Sequence, residues 1–226
     1  MKRWLAALLV ILGLAALPAA AAAAPDWTKV ASKTASGAYV IGNPKAKVKL
    51  IEYLSYTCPH CGAFSVESAA TLKDTFVKSG STSIEVRNAV RDRVDLAAAQ
   101  LARCAGPAGF SATTDAIFAQ QQAWLPRAFD YDQINGARLA SYPVGAQLKK
   151  IATGGGLDQM MRGRGMSDAA IDACFADEAG IAAIAKLSDA SWKEVRSTPS
   201  FVLNGKPYEY KGWADLEKAL RAAGAH

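Results

Sequence analysis

Two cysteines separated by a proline and a histidine, Cys58-Pro59-His60-Cys61, constrain this chain more than any other stretch. They follow directly on the apolar run Val48-Lys-Leu-Ile-Glu-Tyr-Leu54 and directly precede a segment with helical periodicity. Pro59 suits the first position of a helix, where a missing N–H is not needed, and that makes Cys58 the N-cap. A thiol there lies among unpaired backbone N–H groups at the positive end of the helix dipole, which favours its thiolate. Cys61, three residues on, falls on the same face one turn deeper, within reach of a disulfide to Cys58 but less exposed. One sulfur is then expected to attack and the other to resolve. A zinc half-site would need a second close Cys or His pair, which two histidines, one of them His226 at the last position, do not supply. A helix start is also a poor place for an inert structural disulfide. No metal and no other cofactor is expected.

The beginning of the chain sets the compartment. Met1-Lys2-Arg3, the apolar stretch from Trp4 to Leu17, and then Pro18 and a run of alanines have the layout of a secretory signal peptide over 1–24. The apolar stretch is short for a membrane span, and no later stretch approaches the needed length. Removing Lys2 and Arg3 lowers the formal charge from +6 to +4, with acids interspersed, so no nucleic-acid role follows. Export also places the four cysteines where disulfides persist.

Hydrophobic patterning predicts the elements. Residues 25–45 read as an ordered lead-in with one short apolar piece, Tyr39-Val40-Ile41, and no heptad pattern for a dimerisation stalk. Val48 to Leu54 is a buried strand, Pro59 to about Lys78 a helix ended by Gly80, and Ser83 to Val90 a second strand, which together make a βαβ unit. From about Val94 to Leu187 the pattern is helical: Leu96–Ala105, Thr113–Trp124, a loop at Pro126, Tyr131–Ala140 and Gln147–Ala152. A flexible Gly154-Gly155-Gly156 and a helix capped by Ser167 follow, then a long helix from Asp177 to Val195. Strand character returns at Ser197–Leu203, Asn204-Gly205 signals a hairpin to Pro207–Tyr210, and Trp213–Ala222 is a terminal amphipathic helix. The expected organisation is one α/β domain from 25–93 and 188–226 carrying a helical insertion at 94–187.

A strand leading into Cys-Pro-His-Cys, a large helical insertion and a later Thr198-Pro199-Ser-Phe-Val-Leu-Asn-Gly resemble the DsbA family of periplasmic dithiol oxidases. The resemblance spans nearly the whole mature chain. It implies a thioredoxin fold with an inserted α-helical domain, Cys58 as exposed nucleophile and Cys61 as resolving thiol. It also implies that Pro199 is a cis-proline facing them and that Thr198 offers its backbone to an extended substrate. Glu52, six residues before Cys58, stands where this superfamily keeps an acid beneath the site, and a proton acceptor for Cys61 justifies a carboxyl in so apolar a strand. The other reading of Glu52 is a solvent-facing side chain at a strand edge. His60 either stabilises the thiolate or is an ordinary loop side chain. With Cys58 and Cys61 taken as one pair, Cys104 and Cys174 remain, and some family members carry an extra disulfide in the helical domain. The alternative is two buried free thiols. Thr198 departs from the Val-Pro of the best-known oxidases and resembles isomerases and reductases.

The expected function is therefore that of a monomeric periplasmic thiol:disulfide oxidoreductase. It would donate the Cys58–Cys61 disulfide to reduced exported proteins and be reoxidised by a DsbB-type quinone-linked membrane oxidase. A disulfide isomerase or reductase of the same fold is the runner-up. A copper(I) metallochaperone is permitted by two soft thiolates, but the chain lacks the methionine-rich or histidine-rich support expected of one.

Overall fold

In the computed structural model, which describes residues 25–226, the chain enters its sheet earlier than its composition suggests. The expected signal peptide at 1–24 lies outside the described residues. The stretch read as a lead-in contains two short strands, β1 (Ala31–Lys33) and β2 (Tyr39–Gly42), because Tyr39 and Ile41 find a core to enter. β3 (Val48–Leu54) and β4 (Thr82–Asn88) run parallel. Joining them are helix α1 (Pro59–Ser68) and its π-helical continuation Ala69–Val77, which completes the expected βαβ unit. β5 (Ser200–Leu203) lies antiparallel against the other side of β3 and turns into β6 (Lys206–Tyr208). The sheet order β1-β2-β4-β3-β5-β6 leaves β3 with a partner on both sides. At the β5–β6 turn Asn204 and Gly205 both have positive φ, 49° and 79°, which is what the Asn-Gly signal specifies.

Between β4 and β5 the described chain is helical throughout: α2 (Arg93–Cys104), α3 (Gly106–Ala119), α4 (Gln121–Leu139), α5 (Val144–Gly155), α6 (Leu157–Gly163), α7 (Asp168–Ala176) and α8 (Glu178–Glu194). After β6, α9 (Trp213–Ala223) returns to the sheet and buries Leu216 and Leu220. None of the helices among the described residues is long and apolar enough to cross a membrane.

Three expectations for this block are corrected. The helix expected over Thr113–Trp124 is broken at Gln120, where φ −109° and ψ 14° separate α3 from α4. The loop expected at Pro126 is absent, and the proline sits inside α4. Trp124 and Ala128, fully buried on either side of it, hold the helix through the carbonyl that Pro126 leaves unpaired, and the Trp124 indole N–H donates to the Ile117 carbonyl. The glycine triplet is not a flexible link. A Cβ on Gly154 would come within 2.2 Å of the Tyr131 ring, so Gly154 is what lets α5 approach α4. Gly156 ends α5 in the left-handed region at φ 80°, where L side chains are disfavoured.

Cys104 at the end of α2 and Cys174 in α7 are bonded, their Cα atoms 5.6 Å apart. The two ends lie 70 residues apart in sequence, so reducing the bond frees a long loop in the unfolded chain. On a chain-entropy argument that loop is worth about 4 kcal/mol. The paired substitution Cys104→Ala/Cys174→Ala is expected to lower the unfolding free energy by about that amount in urea denaturation. A loss below about 1 kcal/mol would mean that the unfolded ensemble is already restricted without the bond.

Candidate active site

β3 delivers the chain into a tight loop, Ser55–Thr57, and then into α1, with Cys58 as N-cap (φ −85°, ψ 118°) and Pro59 at the first helical position. Cys61 N–H and Gly62 N–H both donate to the Cys58 carbonyl, at 3.1 and 3.2 Å, closing the first turn. Both cysteines are free thiols. Cys58 forms part of a cleft between Pro59 and His60 on one side and Ser197, Thr198 and Trp192 on the other. It is less open than expected. Only 3 % of Cys58 is exposed, because the segment before β5 folds over it, and Cys61 is fully buried. As a thiol, Cys58 Sγ donates to the Thr198 carbonyl at 3.1 Å. The Thr198–Pro199 peptide bond is cis, so the structure brings Cys58, Cys61, Thr198 and Pro199 to one place.

The two sulfurs are driven apart in acidity. Cys58 is pulled down to about 5, first by the hydrogen bond it receives from the Cys61 thiol, against the opposing effect of burial. The Thr198 side chain and the backbone N–H groups of Cys61 and His60 add to this. What His60 contributes here is its main chain at the helix start. Cys61 moves the other way, raised by burial and by the neighbouring Cys58 sulfur. A thiolate outside and a thiol inside is the division of labour that dithiol exchange needs.

Glu52 is not at an edge: it pairs with Val86 of β4 and Phe201 of β5, and is 7 % exposed. Burial pushes its carboxyl up to about 7, with Lys73 lowering and Asp115 raising it by smaller amounts. It lines an enclosed space of about 20 Å³ with Phe64, Ser65 and Ser68, enough for one water. Its charge reaches Cys61 and raises that thiol further.

Three residues that frame the site escaped the sequence analysis. The buried carboxyl of Asp95, in the first turn of α2, takes bonds from Ser55 Oγ (2.6 Å), Tyr56 N–H (2.8 Å) and Arg91 N–H (3.0 Å). Burial still outweighs these donors and raises it to about 7. Gln121, the first residue of α4, donates through Nε2 to the carbonyls of Tyr56 (2.8 Å) and Cys58 (3.0 Å). Tyr56, fully buried, shares a hydrogen bond with Thr114 of α3 and stacks on Phe118. One signal was available. Gly62 inside a helix marks a close approach, and a Cβ there would come within 2.5 Å of Gln121 Oε1.

Two measurements follow from this geometry. Titration of the thiolate absorbance of the reduced protein is expected to show Cys58 ionising near pH 5, and a midpoint near that of a free thiol, about 8.5, would overturn the helix-start account. Glu52, raised from 4.5 to about 7, stabilises the fold fully below pH 4.5, and that contribution is lost as pH rises through 7. The shift corresponds to about 3 kcal/mol. The stability difference between the wild type and Glu52→Gln, both reduced, is therefore expected to shift by about that much against the wild type between about pH 4 and pH 8. A pH-independent difference would mean that Glu52 ionises as freely as in the unfolded chain.

The sequence pattern of the family described as Thioredoxin matches residues 34–222. The solved structure of a protein-disulfide isomerase from Novosphingobium aromaticivorans superposes with a TM-score of 0.74 at 32% identity, over 81% of this chain and 95% of that one. Alpha-DsbA1 of Wolbachia pipientis shares the fold, with a TM-score of 0.62 at 20% identity over 84% and 92% of the two chains. A protein of Rickettsia typhi to which protein-disulfide oxidoreductase activity is ascribed is 36% identical over 98 residues, 43% of this chain. A Rickettsia conorii counterpart is 35% identical over 97 residues, 42% of this chain. These matches cover 36% and 35% of the relatives, so the aligned part spans about a third of the length of the curated proteins it matches. A mixed sheet with inserted helices, a Cys-Pro-His-Cys at a helix start and a cis Thr198–Pro199 facing it accord with these likenesses: the chain belongs to the thioredoxin family and has the DsbA-like form of its fold.

Proposed function

We propose that the protein is a thiol:disulfide oxidoreductase that oxidises exported proteins in the periplasm. The observation that carries this reading is Cys58 at the N-cap of α1, in a cleft beside Thr198, with Cys61 one turn deeper and fully buried, an arrangement that pulls Cys58 down to about 5 and pushes Cys61 up. In the disulfide form, a substrate thiolate attacks Cys58 Sγ; the Cys58–Cys61 bond breaks and its electron pair stays on Cys61. The substrate's second thiolate then attacks its own sulfur in the mixed disulfide and releases Cys58 as a thiolate. Two electrons pass from the substrate dithiol to the protein's dithiol, and a new substrate disulfide remains. A strongly acidic Cys58 thiol is a good leaving group in that last step.

The other site residues act around this exchange. Cys61 leaves as a buried thiolate and must take up a proton, and Glu52, poised near neutrality beside room for one water, is placed to exchange that proton. Thr198 presents its carbonyl beside Cys58, where an extended substrate backbone pairs with it, and Pro199 sets the course of that segment. The dithiol carries the electrons itself, so no cofactor is required. The leader-like 1–24 stretch supports the periplasmic setting. A DsbB-type quinone-linked membrane oxidase is the reoxidant this scheme calls for.

A disulfide isomerase is the second reading, favoured by Thr198 and by the likeness to the Novosphingobium protein-disulfide isomerase. Equilibration with glutathione separates the two. Thioredoxin, with a thiol near 7, has a potential of about −270 mV, and an oxidase with a thiol near 3.5 about −120 mV. Thiolate stabilisation from a Cys58 near 5 alone adds about 50 mV to the thioredoxin value at neutral pH, so a potential of about −220 mV or above is expected. Rapid oxidation of a reduced unfolded substrate and poor reshuffling of a scrambled one should accompany it. A potential near that of thioredoxin, or efficient reshuffling, would replace the oxidase with the isomerase.

A further inference from the structure

Two guanidiniums line the cleft around Cys58 without a carboxylate partner. Arg91 and Arg196 both contribute to it, and no side chain lining it is acidic. Neither takes part in any ion pair among the described residues. The acids adjoining them in sequence are engaged elsewhere. Asp92 accepts from Thr57 Oγ1 (2.9 Å) and from Asp95 N–H (2.8 Å), and Glu194 is tied to Arg87 and Tyr53.

Both arginines stand on fixed backbone. Arg91 N–H donates to the same Asp95 carboxyl that holds Ser55 and Tyr56, so one buried group sets the distance between Arg91 and the loop bearing Cys58. Arg196 lies just past the end of α8, where the Trp192 indole N–H is anchored to the Val90 carbonyl, and two residues before Thr198. Cations with long, mobile arms on rigid bases, flanking a reactive sulfur, are a means of selecting charge in whatever strand docks there.

We propose that the cleft selects substrate cysteines flanked by acidic residues, Arg91 and Arg196 pairing with the flanking carboxylates while the cysteine meets Cys58. This rests on the thiol:disulfide exchange proposed above and names the substrate class it prefers. An acidic neighbour disfavours ionisation of the substrate's own thiol, and the two guanidiniums offset that penalty on docking. Solvent-exposed pairs are individually weak, so two of them amount to a preference of about tenfold, and salt screens it.

The test uses dithiol peptides identical except for Glu, Gln or Lys beside each cysteine, mixed with the oxidised full-length protein. Second-order rates are read from conversion of the peptide's own dithiol to its disulfide after acid quenching and separation from the protein, because the exchange leaves the total thiol unchanged. The expected order is Glu over Gln over Lys, with about a tenfold span at low ionic strength that shrinks to within about twofold at about 0.5 M salt. In Arg91→Gln/Arg196→Gln the three rates are expected to converge, and in Arg91→Glu/Arg196→Glu the order reverses. Circular dichroism establishes that each variant is folded. Failure of the Gln peptide to be oxidised by the wild type refutes the proposed function itself. Oxidation of the Gln peptide with Glu no faster than Lys refutes only the selection. A preference that survives Arg91→Gln/Arg196→Gln also refutes it, since it would then come from the protein's overall positive charge.

Discussion

The placement of Cys58 as N-cap of α1, with Cys61 one turn deeper and fully buried, is the constraint on which the site depends. A helix N-terminus favours a thiolate through its free N–H groups, yet burial of the same sulfur opposes it. Here burial is outweighed because a second sulfur, unable to ionise in its own apolar surroundings, supplies its proton as a donor. The asymmetry between the two cysteines therefore arises from one asymmetry of depth. Three residues along a helix carry the chain from the cleft into the core.

That geometry needs a loop that does not give way, and the helical block supplies it. Asp95 from α2 and Gln121 from α4 hold Ser55, Tyr56 and Cys58 by side-chain bonds to main-chain groups, while Tyr56 is wedged against α3. A buried backbone carbonyl without a donor is costly, so Gln121 satisfies that of Tyr56, adds a further donor to that of Cys58, and at the same time fixes the distance between the block and the thiols. Cys104–Cys174 secures α2 to α7, and Gln100 of α2 donates to the Cys174 carbonyl at 2.6 Å. The inserted helices are thus part of the scaffold of the site.

Glu52 and Asp95 are the two buried acids next to the motif, and their surroundings differ. Asp95 has three donors and is a clamp, whereas Glu52 is shifted by burial and charge and faces a space the size of a water. A carboxyl near neutrality without fixed donors is free to gain and lose a proton, which a clamp is not.

The spacing in Cys58-Pro59-His60-Cys61 was sufficient to place a nucleophilic sulfur at a helix start, because Pro59 admits few other positions and a helical turn brings i and i+3 together. The strand before it, the Asn204-Gly205 turn and the helical character of the middle of the chain were legible for the same reason: each is a local preference written in neighbouring residues. The strands in the lead-in, the continuity of α4 across Pro126 and the packing use of Gly154 were not, since each is decided by what lies opposite in space. Asp95 and Gln121 looked like any polar residue of an amphipathic helix. For Glu52 a strand-edge reading stayed open until β4 and β5 closed on both sides of it. Sequence by itself determined the chemistry of the two thiols, because that chemistry is local to one helical turn. Only the tertiary structure decided which groups hold the loop that carries them, because hydrogen bonds across 39 to 65 residues of chain leave no periodicity to read.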